Sequence, residues 1–417
     1  MISVEEALQV ILHRFEPLEP EQVDILDGPG RVLAEDVYSD ADIPPFNNSA
    51  MDGYALRSAD TKGASRENPA RLRVVANLAA GHTTSVLVEP GTAIRIMTGA
   101  PLPAGADAVA RFEDTSESLS ATRERPGEVE VYTEVPSGEH VRPRGEDIHE
   151  GELVLPQGTL LRPQEIGVLA SLGRSRFLVI RRPRVAILAT GDELAGIDED
   201  IGPGKIHSSN EYSIAALVQK YGGIPIRLGI AKDRVEDLKA KIEEGLAAGV
   251  DLFLTSAGVS VGDYDVVKDV LGAEGKMFFW QVKMKPGKPL ACGEVRGVPL
   301  IGLPGNPVSA MVSFEQFVRP AILKMLGRSR LEKPTVEVIV DDDITVGGEQ
   351  RYYLRAVVHS GDDGYHASVV KGPHGSGVLT SMVGANALLI MPEGVTQVRA
   401  GERLQAQMLD WPEEVVQ

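Results

Sequence analysis

RVAILATGDEL, residues 184–194, decides the fold. From Arg184 to Thr190 the run is apolar, which predicts a buried strand. Gly191, Asp192 and Glu193 follow it directly. NEYSIAALVQKYGG (210–223) then has helical spacing and stops at Gly222 and Gly223. IPIRLGIA (224–231) reads as a strand, and DRVEDLKAKIEEGLAAG (233–249) as a helix burying Val235, Leu238, Ile242 and Leu246. VDLFLTSAG, VVKDVLGAEG and VPLIGLPG continue the alternation, and NPVSAMVSFEQFVRPAILKMLG closes it as a helix expected to kink at Pro320. Strand, loop and helix repeated in this order predict a mostly parallel sheet with helices on both faces. Ligands of such sheets collect beyond the carboxyl ends of the strands.

The flanks have another texture. Ser3 and Glu6 form a capping-box pair ahead of Val4, Ala7, Leu8, Ile11 and Leu12, so an amphipathic helix begins the chain. From about residue 22 to 175, short alternating runs such as RLRVVANL and EVEVYTEV between turn residues predict β-rich units, with SESLSATRERPGEVE as an exposed loop. After Gly327, TVEVIV, RYYLRAVV, HASVVKG, ALLIMP and ERLQAQML predict a small barrel or sandwich. At 417 residues the chain exceeds what one core usually supports, so several domains are expected.

The charge balance excludes some partners. Sixty carboxylates against 42 basic side chains leave a net charge of −18, which repels nucleic acid and anionic membranes. Cys292 is the single cysteine, so no intrachain disulfide forms and a reducing, cytoplasmic setting is expected. The eight histidines lack close ligand spacing, which argues against zinc and leaves room for a hard, oxygen-ligated cation.

Against this acidity, VKMKPGKPLACG (282–293) sets Lys283, Lys285 and Lys288 among Pro286, Gly287 and Pro289. Proline fixes φ and glycine permits the turn, so the spacing of Lys285 and Lys288 is restricted in advance. The stretch fits either a preorganised anion site or a hairpin corner with solvated lysines. Three strand-end loops carry further chemistry. Asp192 and Glu193 of ATGDEL suit Mg²⁺ or a helix N-cap equally. TSAGVSVGDYD (255–265) offers Ser256, Gly258 and Ser260 for a backbone anion nest, and Asp263 and Asp265 as cation acceptors or caps. In GLPGNPVS (302–309), Asn306 as N-cap and Pro307 at the first helical position predict a helix N-terminus facing the same edge. Together the loops fit a phosphorylated substrate held with Mg²⁺ and a second, smaller anion, with catalysis by positioning and charge stabilisation.

NSAMDGYA (48–55), IRIMTGAPLPAGADAV (94–109), RPRGEDI (142–148), TGDEL (190–194), GVSVGDYD (258–265), MKPGKP (284–289) and LPGNPVS (303–309) resemble the molybdopterin molybdenumtransferase family, that of MoeA and the gephyrin E-domain. The resemblance runs in order over essentially the whole chain. It implies insertion of molybdenum from molybdate into adenylylated molybdopterin with Mg²⁺ and release of AMP, the last step of molybdenum cofactor biosynthesis. It further implies a homodimer and a division into a linking and dimerisation subdomain (1–43 and 141–175), a β-rich subdomain (44–140), an α/β molybdopterin-binding domain of the MogA type (176–327) and a C-terminal β-barrel (328–417).

Carried over by residue, Lys285 and Lys288 would hold molybdate, with Arg355 of YLRAVV and Ser376 of PHGSGV as its remaining ligands. Glu193 and Asp265 would be the Mg²⁺ and adenylate-cleavage carboxylates, with Asp233 nearby, and Pro304 and Pro307 would shape the pterin pocket. Asp52 and Thr98 lie in the subdomain that in this family reaches the partner chain's site, which implies a shared cleft. From the residues alone, Asp52 reads as a turn residue, Thr98 as a strand-end hydroxyl and Arg355 as a surface position. Ala257, His207 and Ser208 depart from the usual family residues and bear on adenylate contacts. The adenylyltransferase acting one step earlier, an expected upstream partner, shares the α/β fold but needs neither flank. A gephyrin-like scaffold would call for an additional domain or long linker.

Overall fold

The computed structural model describes residues 1–119, 126–256 and 275–411. Within them the chain forms two compact units, one comprising Met1–Ala34, Leu160–Arg162 and Arg176–Gln417, the other Glu35–Thr159 and Pro163–Ser175.

The first unit is organised by a six-stranded sheet of β1 (Arg184–Thr190), β2 (Ile224–Ala231), β3 (Leu252–Ser256), β4 (Gly275–Gln281), β5 (Pro289–Val295) and β6 (Val298–Leu303), in the spatial order β2-β1-β3-β6-β5-β4. β2, β1, β3 and β6 run parallel, and β5 and β4 are antiparallel to their neighbours. The mostly parallel layer expected from the sequence is therefore present.

Its central strands β1 and β3 are buried on both faces, as a parallel layer requires. Val185, Ile187, Leu252 and Leu254 pack with Ile214 and Val218 of helix Ser209–Lys220 and with Val308 and Phe314. Ala186, Leu188 and Phe253 pack on the other side with Leu238 and Ile242 of helix Val235–Ala247. Helix Val4–Leu12 starts with the capping box, Ser3 N–H donating to Glu6 at 2.9 Å and Glu6 N–H to Ser3 Oγ at 3.1 Å. It buries Val4, Ala7 and Ile11 in the same core as the first sheet face. The last helix is interrupted before Pro320: Pro307–Ser313 is α-helical, Phe314–Val318 is a π turn, and α-helix resumes at Arg319. A wide turn ahead of proline accommodates a ring that brings no N–H to the ladder. The expected helix at 266–275 falls almost wholly outside the described residues.

Beyond Gly327, β7 (Thr335–Val340), β8 (Arg351–Gly361), β9 (Gly364–Val369), β10 (Ala387–Met391) and β11 (Arg403–Met408) close into a barrel. The circuit β8-β9-β7-β11-β10 ends where β10 pairs back to β8. Val338, Val340, Ala356, Val358 and Leu389 fill its interior.

The second unit contains a five-stranded sheet formed by Gly53–Leu56, Ala70–Leu78, Thr92–Ile96, Ala108–Arg111 and Glu128–Val131. The tract expected as an exposed loop behaves otherwise at Glu117. Its carboxylate lies in a half-buried ion pair with Arg95 at 2.5 Å and accepts the Tyr54 O–H, while the Arg95 guanidinium stands 4.6 Å from the Phe112 ring. Burial and then the Glu117 charge push the Tyr54 phenol well above its usual range. Glu117 thus turns inward because one fixed cation offers it a partner.

Gly53 sits where strands come closest. A Cβ there would lie 1.9 Å from the Ala110 carbonyl oxygen, part of the ladder itself. Gly53→Ala should therefore destabilise the protein by about 3 kcal/mol or more, read as a lowered urea midpoint.

Candidate functional site

The register of the sheet sets the site. Ala189 of β1 lies beside Ser256 of β3, and Ser256 beside Leu303 of β6, so these three strands end at one edge, where ATGDEL and LPGNPVS leave the sheet. β5 runs the other way and pairs Ala291 with Gly302. Its first residue, Pro289, is consequently brought to that same edge, together with the turn that precedes it. Met284 and Lys285 of that turn pair with Arg351 and Tyr352 at the start of β8, which fastens the barrel beside it.

Gly287 in the turn has φ +108°, and a Cβ there would meet Ser313 Oγ at 2.6 Å and Met284 Cε at 2.9 Å. Glycine is required for both conformation and space. Lys285 and Lys288 are exposed and make no ion pair among the described residues, and Lys285 Nζ stands 5.5 Å from the centre of the Tyr352 ring. The turn thus presents unneutralised cations.

Two adjoining cavities open at this edge. One, of about 1150 Å³, is lined by Lys285, Lys288, Arg355, His374 and Ser376 among others. The second, of about 690 Å³, is lined by Glu193, Ser208, Asn210, Ser256, Pro304 and Pro307 among others. Pro289, Asn306 and Ser309 belong to both walls. Of the expected site residues in this unit, Glu193, Ser256, Lys285, Lys288, Pro304, Pro307, Arg355 and Ser376 are brought together at the paired cavities. Gly258, Ser260 and Asp265 lie outside the described residues.

Arg355 corrects the surface position read from its strand. It is 2% exposed. Its Nε donates to Ser381 Oγ at 3.1 Å, while Nη2 is buried with no protein partner. Burial lowers the affinity of this guanidinium for its proton. An unpaired donor of a buried cation at a cavity wall is a strong anion ligand in waiting. The nearby His374 imidazole is shifted downward by burial and then by the Arg355 charge, which favours its neutral form. His374 was missed in the sequence, although it stands two residues before Ser376 in PHGSGV.

Asn306 occupies the N-cap position with Pro307 following, but its side chain makes no capping bond. Its amide donates instead to Ser376 Oγ at 2.9 Å, and the Val308 N–H reaches the Ser376 carbonyl at 3.1 Å. The expected helix start therefore also fixes the serine loop. In the smaller cavity, Asn210 donates to the Gly305 carbonyl at 2.7 Å, leaving its own carbonyl oxygen and the Ser208 hydroxyl buried without partners. These polar atoms suit a heterocycle rich in donors and acceptors.

The Glu193 carboxylate makes no hydrogen bond or ion pair among the described residues, while its backbone carbonyl accepts the Ile206 N–H at 2.9 Å. Its carboxylate folds against Gly191 (φ +146°), where a Cβ would meet Oε2 at 2.4 Å. A free carboxylate seated on a glycine fits a hard cation, although no cluster of three or more metal-ligating side chains occurs among the described residues. Asp233 is not part of either cavity wall. Its carboxylate accepts the Asp192 N–H at 3.2 Å, and Asp192 accepts the Asp233 N–H at 3.5 Å, an exchange that braces the loop carrying Glu193.

In the second unit, Asp52 Oδ1 accepts both the N–H and the hydroxyl of Thr98 at 2.7 Å. The N–H contact and then the hydroxyl hold its carboxyl below the usual range.

Fold and site define a multidomain protein in which a parallel-sheet pocket adjoins a cationic pocket walled partly by a barrel. Family models match nearly the whole chain: the MoeA N-terminal region (domain I and II) at 2–173, a probable molybdopterin binding domain at 186–324, and the MoeA C-terminal region (domain IV) at 337–409. The chain is 37% identical to molybdopterin molybdenumtransferase 2 of Mycobacterium tuberculosis, over 97% of this chain and 99% of that one. It is 38% identical to molybdopterin molybdenumtransferase of Nostoc sp. (96% and 92% covered). The molybdopterin biosynthesis MoeA protein of Pyrococcus horikoshii superposes with a TM-score of 0.81 at 31% identity, covering 98% of this chain and all of that one. The chain belongs to the MoeA family of molybdopterin molybdenumtransferases.

Two outcomes follow from the geometry. Arg355→Met removes a buried, incompletely satisfied charge, so the thermal midpoint should stay level or rise, by at most about 2 kcal/mol of stability, as anion binding is lost. For Asp52 the folded-state value lies below the unfolded one, so its stabilisation is complete above about pH 5 and fades as pH falls through the folded value. Thr98→Val should cost less than about 1 kcal/mol at pH 7, because the pair is exposed, and less still at pH 2. Urea unfolding at both pH values checks this.

Proposed function

We propose that this protein inserts molybdenum from molybdate into adenylylated molybdopterin and releases AMP, completing molybdenum cofactor biosynthesis. The observation that carries the reading is the pair of adjoining cavities, one cationic and one polar with a free carboxylate, that share Pro289, Asn306 and Ser309. Family membership supports the reaction class. Molybdate is a tetrahedral oxyanion, and Lys285, Lys288, the unpaired Nη2 of Arg355 and the Ser376 hydroxyl supply donors for it from several directions. The pterin belongs in the smaller cavity, between Pro304, Pro307, Ser208 and Asn210, with Ser256 at the wall.

Glu193, with Asp265 of the 255–265 loop, would hold Mg²⁺, which when bound neutralises phosphate charge during adenylate cleavage. Gly258 and Ser260 are assigned to the phosphates by the family motif. Asp233 acts as a positioning residue through its exchange with Asp192. The chain's own residues fix the two substrates side by side, and catalysis is positioning plus charge stabilisation.

The working unit is a homodimer in which Asp52 and Thr98 of one protomer complete the partner's cleft. The protein is cytoplasmic and receives its nucleotide-bearing substrate from the molybdopterin adenylyltransferase. No helix among the described residues is long and apolar enough to cross a membrane, and nucleic acid is not a partner of so acidic a chain. The adenylyltransferase alternative does not explain the barrel, and a scaffold does not explain its buried, incompletely paired arginine.

Lys285→Ala and Lys288→Ala should each raise the molybdate concentration for half-maximal activity at least tenfold, with the unfolding midpoint nearly unchanged because both side chains are exposed. Wild-type molybdate dependence in both variants would reject the assignment.

A further inference from the structure

A second cationic cavity lies in the first unit, at the end of helix Ser209–Lys220, and shares no wall residue with the pair described above. Its volume is about 350 Å³, and its walls include Arg31, Arg182, Lys220, Arg319, Arg328 and Arg330. So many cations at one place are unexpected in a chain of net charge −18.

Among the described residues, carboxylates pair with only two of these six cations. Glu21 serves Arg31, Asp410 serves Lys220, and Glu315 is consumed by the buried Lys333 at 2.5 Å and by the Tyr221 O–H at 2.8 Å. Arg182, Arg319, Arg328 and Arg330 have no carboxylate partner among the described residues. Arg319 is 8% exposed and spends its terminal nitrogens on the Leu331 and Glu332 carbonyls, at 2.9 Å and 3.4 Å. Arg328 donates one bond, to the Gly30 carbonyl at 2.9 Å. The Nε donors of Arg31, Arg319 and Arg328 are buried and unpaired. Arg319, Lys220 and Lys333 also crowd the Tyr221 ring, at 5.3 Å, 5.9 Å and 5.3 Å from its centre. Burial and the Arg319 charge together weaken proton binding at Arg328, a sign that folding sets like charges against each other here.

An arrangement that costs desolvation and repulsion, yet leaves donors unused, is completed by an anion from solution. Several guanidinium forks around one hollow match the oxygens of a phosphate group. The volume lies at the lower end of ordinary ligand cavities, roughly 300–1,000 Å³. We infer that this cavity is a second anion site, separate from the substrate cleft, which binds a phosphate group. Inorganic phosphate and the phosphate of a nucleoside monophosphate share that chemistry.

Calorimetric titration of the full-length protein at fixed ionic strength, with inorganic phosphate and with AMP as probes, tests this. The Lys285→Ala/Lys288→Ala double variant weakens anion binding in the cleft and should retain one saturable phosphate site. Adding Arg182→Gln and Arg330→Gln, both exposed positions, should weaken that site at least tenfold, while the same arginine changes in the wild-type background leave molybdate-dependent activity in place. AMP binding tenfold tighter than phosphate would assign a nucleotide, and equal binding a free phosphate. No saturable site in the lysine variant, or one indifferent to the arginine changes, overturns the inference.

Discussion

The reversal of β5 within an otherwise parallel neighbourhood is the constraint on which the site depends. A parallel sheet gathers the loops that follow its strands at one edge, but it sends the segments that precede them to the other. Because β5 is antiparallel to β6, the lysine turn ahead of it arrives where ATGDEL and LPGNPVS end. The same turn then contributes Met284 and Lys285 as an extra pairing to β8. One short segment thereby joins the sheet, the barrel and the cations. Gly287 makes this feasible, since its positive φ and its packing against Ser313 and Met284 leave no space for a side chain.

Much of this was legible in the sequence, and what was not has physical reasons. Strand, loop and helix alternated from 184 to 327 with apolar runs long enough to demand burial on both faces, and the layer formed as expected. The direction of β5 could not be read, because a short buried strand looks alike in either sense. Arg355 was misjudged for a related reason. Its neighbours Leu354, Ala356 and Val358 face the barrel interior, which leaves Tyr353 and Arg355 on the outer surface. That surface is not solvent there: Tyr353 and Leu388, the cross-strand partner of Arg355, belong to the main core beside the sheet. Alternation reports which side a residue takes, and only packing reports what covers that side. Glu117 repeats the lesson, since Arg95, far away in sequence, decides its burial. The candidate site residues were named from the family motifs more than from pattern. Asp52 and Thr98 are 46 residues apart yet share hydrogen bonds, and no periodicity could have joined them.

Incomplete satisfaction recurs at the paired cavities of the candidate site. Arg355 Nη2, Ser208 Oγ and Asn210 Oδ1 are buried polar atoms without partners, all on residues at the walls of the paired cavities. In a folded protein most such atoms are paired, because each one left open costs about 1–3 kcal/mol. Leaving several open along one cleft raises the free energy of the empty state and fixes donors before a ligand arrives. The ligand then gains interactions without the entropy of arranging them.

The charge distribution follows from the same logic. A chain of net charge −18 lowers the local concentration of every anion it must bind, so attraction has to come from groups close enough to escape screening and held where water competes poorly. Exposed lysines alone would not suffice, since their interactions with an oxyanion weaken in salt. A buried guanidinium behaves differently, because lower polarity strengthens its field while nearby carbonyls and hydroxyls fix its orientation. Arg355 is held in this way by Ser381, and Arg319 by the Leu331 and Glu332 carbonyls. In both places the cation is oriented by neutral acceptors and has no carboxylate partner among the described residues, which suits a charge kept for a ligand. Supplying a carboxylate at either position would stabilise the fold and neutralise the site, so the exposed acids elsewhere keep the chain acidic while these recesses stay positive.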